Sequence, residues 1–380
     1  LDKEHENARL LYLKGLAYKG LLKYPEAIYA FESAFRLDTS NYQVAGELGT
    51  CCKLIGNYTS ALEAFDKASR LSPENCQFKM EMAGILVQLE LYRNALGVYL
   101  SIYQRDSVNI FLLRNIAKTY DNLEMTDSAG FYYEKALALY PHDFQTVFRL
   151  GNICIKQKKY VKTIDITGNY QQFDSKNIKI NRLNAYAIYL TEDYRLAAKR
   201  FILCIQNCDT FDFSYKYLGL SYFKMEKYDS AKLFLAKSFQ KDSLNVQTCY
   251  AIGIACKFLN QDMESIAYLS KTLELVRPAP KFESEVLQNL AETYNSSNSY
   301  SKGLQSLLSA YRVTPADTLL KFRIARQYDS YLNNRKLALT YYKEFLKTRP
   351  KQKTRGKELP FALSYYDTVE KRIRQLSRKP

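Results

Sequence analysis

The chain has 380 residues, a formal charge of +16 and 47% apolar residues, more than one hydrophobic core usually serves and too apolar for a disordered chain. Glycine (14) and proline (9) are scarce, which excludes a loop-rich β fold, and no apolar run is long enough to suggest a membrane-spanning helix.

Residues 1–7 read as a lead-in. The chain begins Leu1-Asp2-Lys3 without a methionine, so an upstream segment, for instance a secretory signal, is expected to have been removed. This favours an exported or periplasmic location over a cytoplasmic one. From residue 8 the sequence repeats itself every 34 residues: 8–41, 42–75, 76–109, 110–143, 144–177, 178–211, 212–245 and 246–279. After an insert at 280–283, repeats nine (284–317) and ten (318 to about 351) resume, the tenth with one extra residue near Asn333 and Asn334. The eighth position is always small: Gly15, Gly49, Ala83, Ala117, Gly151, Ala185, Gly219, Gly253, Ala291, Ala325. The twentieth is small in most repeats, as at Ala27, Ala61, Ala95, Ala197 and Ala338. Small residues at two fixed places let paired antiparallel helices approach closely. The twenty-fourth position is large (Phe31, Phe65, Tyr99, Tyr133, Phe201, Leu235, Leu269, Leu307, Tyr342) except at Thr167, so a local irregularity is expected in repeat five. The segment Arg277-Pro278-Ala279-Pro280 reads as a hinge or a longer loop.

Residues 352–380 read as a basic loop followed by a capping helix over 358–378. Leu359, Phe361, Ala362, Tyr365, Tyr366, Val369, Ile373 and Leu376 form one apolar stripe, with Lys371, Arg372, Arg374 and Arg378 opposite. The basic run Lys347, Arg349, Lys351, Lys353, Arg355, Lys357 reads as a solvated connector, with contact to a polyanion as the competing reading.

Little in the sequence suggests chemistry. His5 and His142 lack Cys or carboxylate neighbours at ligand spacing, so no metal site is expected, and no phosphate loop or nucleophile motif appears. Cys52, Cys154 and Cys256 share a core position and read as small hydrophobes, while Cys204 and Cys208 are placed one turn apart on one helix.

The order L-G-x2-Y, A-x3-F, A, P at this period resembles the tetratricopeptide repeat over residues 8–351. Leu218-Gly219-Leu220-Ser221-Tyr222 and Ala61-Leu62-Glu63-Ala64-Phe65 carry it directly, although the family's tryptophan at the fourth position is missing. The resemblance implies an all-α, right-handed superhelical solenoid of about ten helix-turn-helix repeats with a C-terminal capping helix. It also implies a concave groove lined by the second, fifth, ninth, twelfth and thirteenth positions of each first helix. Carried over, these give Phe111, Arg114, Lys118, Phe148, Asn152, Lys156, Lys179, Arg182, Tyr186, Tyr189, Phe213, Lys216, Phe223 and Tyr250 as groove candidates. The Lys/Asn pair with which some members clamp a terminal carboxylate is absent. The expected function is a non-enzymatic scaffold, without cofactor, that binds a peptide segment or protein partner. The alternative is a helical-repeat RNA or polyanion binder. Nucleic acid is disfavoured because the groove positions vary from repeat to repeat, and self-association through open ends is a further reading.

Overall fold

The computed structural model describes residues 2–276, 279–349 and 360–378. Among these, twenty-one α-helices and one π-helical turn follow one another, with no strand. The protein is an all-α repeat solenoid. It divides into two compact bodies, Leu1–Ala187 and Ile188–Pro380.

Each repeat is a pair of helices, for example Tyr42–Leu54 with Tyr58–Leu71, or Val246–Phe258 with Asp262–Leu275. The residue before most first helices is Asn or Asp, whose side chain accepts from the opening backbone N–H groups. Asn41 takes Gln43 N at 3.1 Å, Asp143 takes Thr146 N at 2.8 Å and Asn245 takes Thr248 N at 3.0 Å. Such a cap is worth about 1 kcal/mol. Phe211 breaks the rule, and there the buried Asp209 accepts from Ser214 Oγ at 2.5 Å.

Each first helix ends on a left-handed residue at the fifteenth position: Leu22, Gly56, Glu90, Glu124, Lys158, Glu192, Glu226, Asn260, Asn298 and, displaced by the extra residue, Asn333. Around it two backbone bonds recur, as in Lys23 N to Tyr18 O (2.9 Å) and Leu22 N to Lys19 O (3.0 Å). This paired closure satisfies the terminal carbonyls and turns the chain into the second helix.

The small eighth position faces the large twenty-fourth of its own repeat. A Cβ on Gly15 would lie 2.5 Å from the Phe31 ring, and one on Gly219 would lie 2.9 Å from the Leu235 backbone nitrogen. Phe31, Phe65, Phe201, Leu235 and Leu269 are accordingly buried, and burying each such side chain contributes about 1.5–3 kcal/mol.

Several expectations need correction. Residues 2–7 are not a separate lead-in but the opening of the helix Asp2–Gly20. Pro280 of the supposed hinge or loop instead opens the first helix of repeat nine, Pro280–Ser296, which the insert 280–283 lengthens at its start, where a proline costs no hydrogen bond. Arg277 and Pro278 of the supposed hinge lie outside the described residues, as do Leu359 and residues 351–357 of the basic run. Repeat five keeps a regular second helix, Tyr160–Phe173. Its departure is chemical: Thr163 donates to Gly151 O (3.2 Å), Thr167 to Thr163 O (2.6 Å), and Asn184 Nδ2 to Thr167 Oγ1 (2.9 Å). Leu183 fills the place of the missing aromatic, 2.7 Å from where a Gly151 Cβ would stand. The extra residue of repeat ten is absorbed as the π turn Gln327–Tyr331, closed by Leu332 N to Gln327 O at 3.2 Å.

The capping helix is present as Pro360–Arg378. Tyr366 and Val369 are buried with Ala325, Ala338, Tyr342 and Phe345. Arg372 does not face solvent alone: it grips Asp329 through two bonds of 2.8 and 2.9 Å. That grip holds the Asp329 carboxyl below the usual carboxylate range despite its burial.

Candidate ligand groove

In the N-terminal body, cations on the first helices meet acids of the neighbouring repeat. Lys19 pairs with Glu47 at 2.5 Å, Lys53 with Glu81 at 2.6 Å and Lys156 with Asp121 at 2.9 Å. Arg114, a central groove candidate, bonds the cap residue Asp143 at 3.0 Å, with both side chains mostly covered. Its guanidinium also lies over the exposed ring of Phe111, 4.9 Å from the centroid. Burial raises the Asp143 pKa, but hydrogen bonds from Thr146 and the charge of Arg114 outweigh it and hold the group below its ordinary value. Arg114 therefore ties its own first helix to the cap of the next.

The other candidates divide by what they touch. Phe148 stacks on Phe144 at 5.8 Å and packs beside buried Val147, Tyr170 and Ile180. Asn152 is turned back onto the Phe148 carbonyl at 2.7 Å. Lys118 and Lys179 are exposed, Lys179 lying 5.9 Å from the Phe144 ring centroid. Arg182 and Tyr186 are half-buried.

In the C-terminal body Tyr189 contacts the rings of Tyr194 and Tyr217 at 5.4 and 5.0 Å. Phe213 lies 4.5 Å from Tyr217, and Phe223 meets Tyr228 edge-on at 5.6 Å. Lys216 bonds Gln247 at 3.2 Å, and burial lowers its pKa against the pull of Asp212 and Asp242. Tyr250 donates to Glu285 at 2.7 Å and accepts from Asn289 at 3.0 Å, and burial and then Glu285 drive its hydroxyl pKa upward. Many of the proposed contact residues are thus held in place by their neighbours.

Three clefts draw on the groove positions. One of about 320 Å³ is lined by residues including Tyr12, Tyr42, Gln43, Thr50 and Gln77. A second, of about 390 Å³, lies among Phe111, Arg114, Tyr140, His142 and Asp143. The third, of about 490 Å³, is in the C-terminal body between Glu292, Asn295 and Ser296 of repeat nine and Leu319, Phe322 and Arg326 of repeat ten, with Tyr331 and Tyr365. Its lining was missed at the sequence level, yet the positional rule reaches it. Leu319, Phe322 and Arg326 are the second, fifth and ninth positions of their repeat, and Glu292, Asn295 and Ser296 are the ninth, twelfth and thirteenth of theirs.

Six cysteines are buried, Cys76 is half-buried and Cys208 is exposed. Cys208 sits not on the helix of Cys204 but beyond its end at Gln206, in a left-handed conformation. Burial raises the thiol pKa of Cys51 and of Cys256 to about 11, which keeps both protonated and unreactive near neutrality. Among the described residues no group of His, Cys, Asp and Glu is placed to hold a metal ion, and no helix is long and apolar enough to cross a membrane.

Family models described as tetratricopeptide repeat match residues 12–75 and 115–143. A search of curated proteins returns no match. Among solved structures, the C-terminal part of a repeat-containing protein from Cytophaga hutchinsonii superposes with a TM-score of 0.53 at 16% identity, covering 63% of this chain and 97% of its own. A tetratricopeptide repeat protein from Parabacteroides merdae gives 0.48 at 19% identity, covering 67% and 99%. The matched segments, with the 34-residue period and the helix pairs, show that this chain carries tetratricopeptide repeats, a fold that typically serves protein-interaction scaffolds.

Proposed function

We propose that the chain is a scaffold that holds an extended segment of a protein partner along the groove positions of its first helices. What carries this reading is that three clefts, two in one body and one in the other, draw on those same positions. Half-exposed aromatics fixed by neighbouring rings offer contact area at little entropy cost. The polyanion reading is weakened because Lys19, Lys53, Lys156 and Lys257 each already engage an acid, which leaves fewer cations for a phosphate backbone.

The test uses peptides selected from a random library on the full chain. Arg114 is a poor target because its reversal would also disturb the Asp143 cap. The double variant Lys118→Glu/Lys179→Glu alters exposed groove cations instead, and should weaken the selected peptides about tenfold, about 1.4 kcal/mol. The matched variant Lys67→Glu/Lys237→Glu, on exposed positions of second helices, should leave them unchanged. Equal binding to both variants would refute the groove.

A further inference from the structure

The cleft of repeats nine and ten differs from the other two in charge. Lys257 and Arg323 share the single carboxylate of Glu292. The side chain of Arg326, exposed on the wall of the cleft, makes no hydrogen bond or ion pair with any described residue. Two cations, Arg323 and Arg326, line the cleft against one acid, Glu292, which Lys257 outside the lining also engages, so the space carries an uncompensated positive charge. Beside Arg326 the surface is apolar: Leu319 is 43% and Tyr331 39% exposed, and Phe322 meets Tyr365 of the capping helix edge-on at 5.0 Å.

The floor is rigid. Asn295 and Gln327 exchange two amide hydrogen bonds, 2.8 and 2.6 Å, and Gln327 also donates to Tyr300 O at 2.9 Å. Tyr331 stacks on Tyr300 at 4.9 Å. Gln327 and Tyr331 bound the π turn and Arg326 immediately precedes it, so the one-residue excess of repeat ten sets the shape of this wall. Single π turns within α-helices occur often at functional sites.

We propose that this cleft recognises an acidic side chain, Asp or Glu, next to an aromatic or branched apolar residue of the partner segment. The carboxylate pairs with the Arg326 guanidinium, and the apolar neighbour packs against Leu319, Phe322 and Tyr331. About 490 Å³ is room for roughly two residues on the scale of ordinary ligand pockets. A guanidinium offers two parallel donors, which favours a carboxylate over a neutral amide of the same shape. The inference rests on the groove reading, of which this cleft is one station.

The probe is the blocked dipeptide acetyl-Phe-Asp-amide, followed through the Arg326 Nε–Hε resonance of the full chain, assigned with Arg326→Lys. A saturable shift is expected, at least tenfold weaker with acetyl-Phe-Asn-amide and lost for the dipeptide in Arg326→Gln when followed through the Leu319 methyl signals. Deleting Asn333, which restores the 34-residue period, should also abolish it while the helical circular dichroism persists. The proposal is overturned if no saturable shift occurs, if the Asp and Asn peptides act alike, or if only acetyl-Phe-Asn with a free terminal carboxyl shifts the resonance. The library test with Lys118→Glu/Lys179→Glu reads residues of the other body, so failure here and failure of the groove as a whole give different results.

Discussion

Repeats two and ten are built from the same pattern and use charge differently. In repeat two, Lys53 reaches forward to Glu81 of the next repeat, so its charge is spent on joining neighbours. Repeat ten packs instead against the capping helix, whose Arg372 takes Asp329, and Arg326 is left facing the cleft. Lys53 in the middle of the stack is thus a joining residue, whereas Arg326 beside the cap makes no such pair among the described residues.

The most severe way to probe that contrast is to remove the interior plug. Phe65→Ala should cost about 3–5 kcal/mol in urea unfolding, because the ring is buried against Gly49 with nothing to take its place. A cost below about 1 kcal/mol would mean that repeat two is not packed as described. Next comes the cap. Arg372→Ala leaves the Asp329 carboxylate covered and without its cation, and a loss of about 1–3 kcal/mol is expected. Because Arg372 depresses the Asp329 pKa, the pair stabilises fully above the unfolded carboxyl value of about 4. That contribution is lost as pH falls through the folded value. Wild type and variant should therefore converge in melting temperature as acid is added, and a gap that stays constant down to about pH 2 would exclude the pair as its source. The smallest effect concerns the left-handed turn residue. Glu90→Gly relieves a side chain of that conformation and should stabilise by up to about 1 kcal/mol, while Asn333→Gly should gain less because Asn tolerates it. Equal gains at the two sites would show that Asn is no better suited to this turn than Glu.

The fold was open to reading because its main constraint is local and repeated: Gly49 and Ala61 stand where a larger side chain would push two helices apart, and the same pair recurs down the chain. The caps are equally legible in principle, since Asn41, Asn75 and Asn109 fall at one position of the period. The joining ion pairs are harder to see. Lys19 and Glu47, or Lys53 and Glu81, stand 28 residues apart, a spacing that gains meaning only once the repeat is known. The π turn was not legible. One added residue gives the same sequence signal whether it lengthens a loop or shifts a helix to i+5 bonding, and tertiary packing decides which. For the same reason the sequence points to Arg114, already engaged, and passes over the cleft beside Arg326.

Repeat five gives the molecule a mechanical character. Where its neighbours lock with rings, it carries Thr163 and Thr167, the second of which meets Asn184 of repeat six, and the Asn184 Oδ1 is buried without a partner among the described residues. A stack that depends on nearest-neighbour contacts is only as strong as its weakest junction. This junction therefore rests on hydrogen bonds where the others rest on apolar packing, and the unpaired Asn184 oxygen costs it about 1–3 kcal/mol.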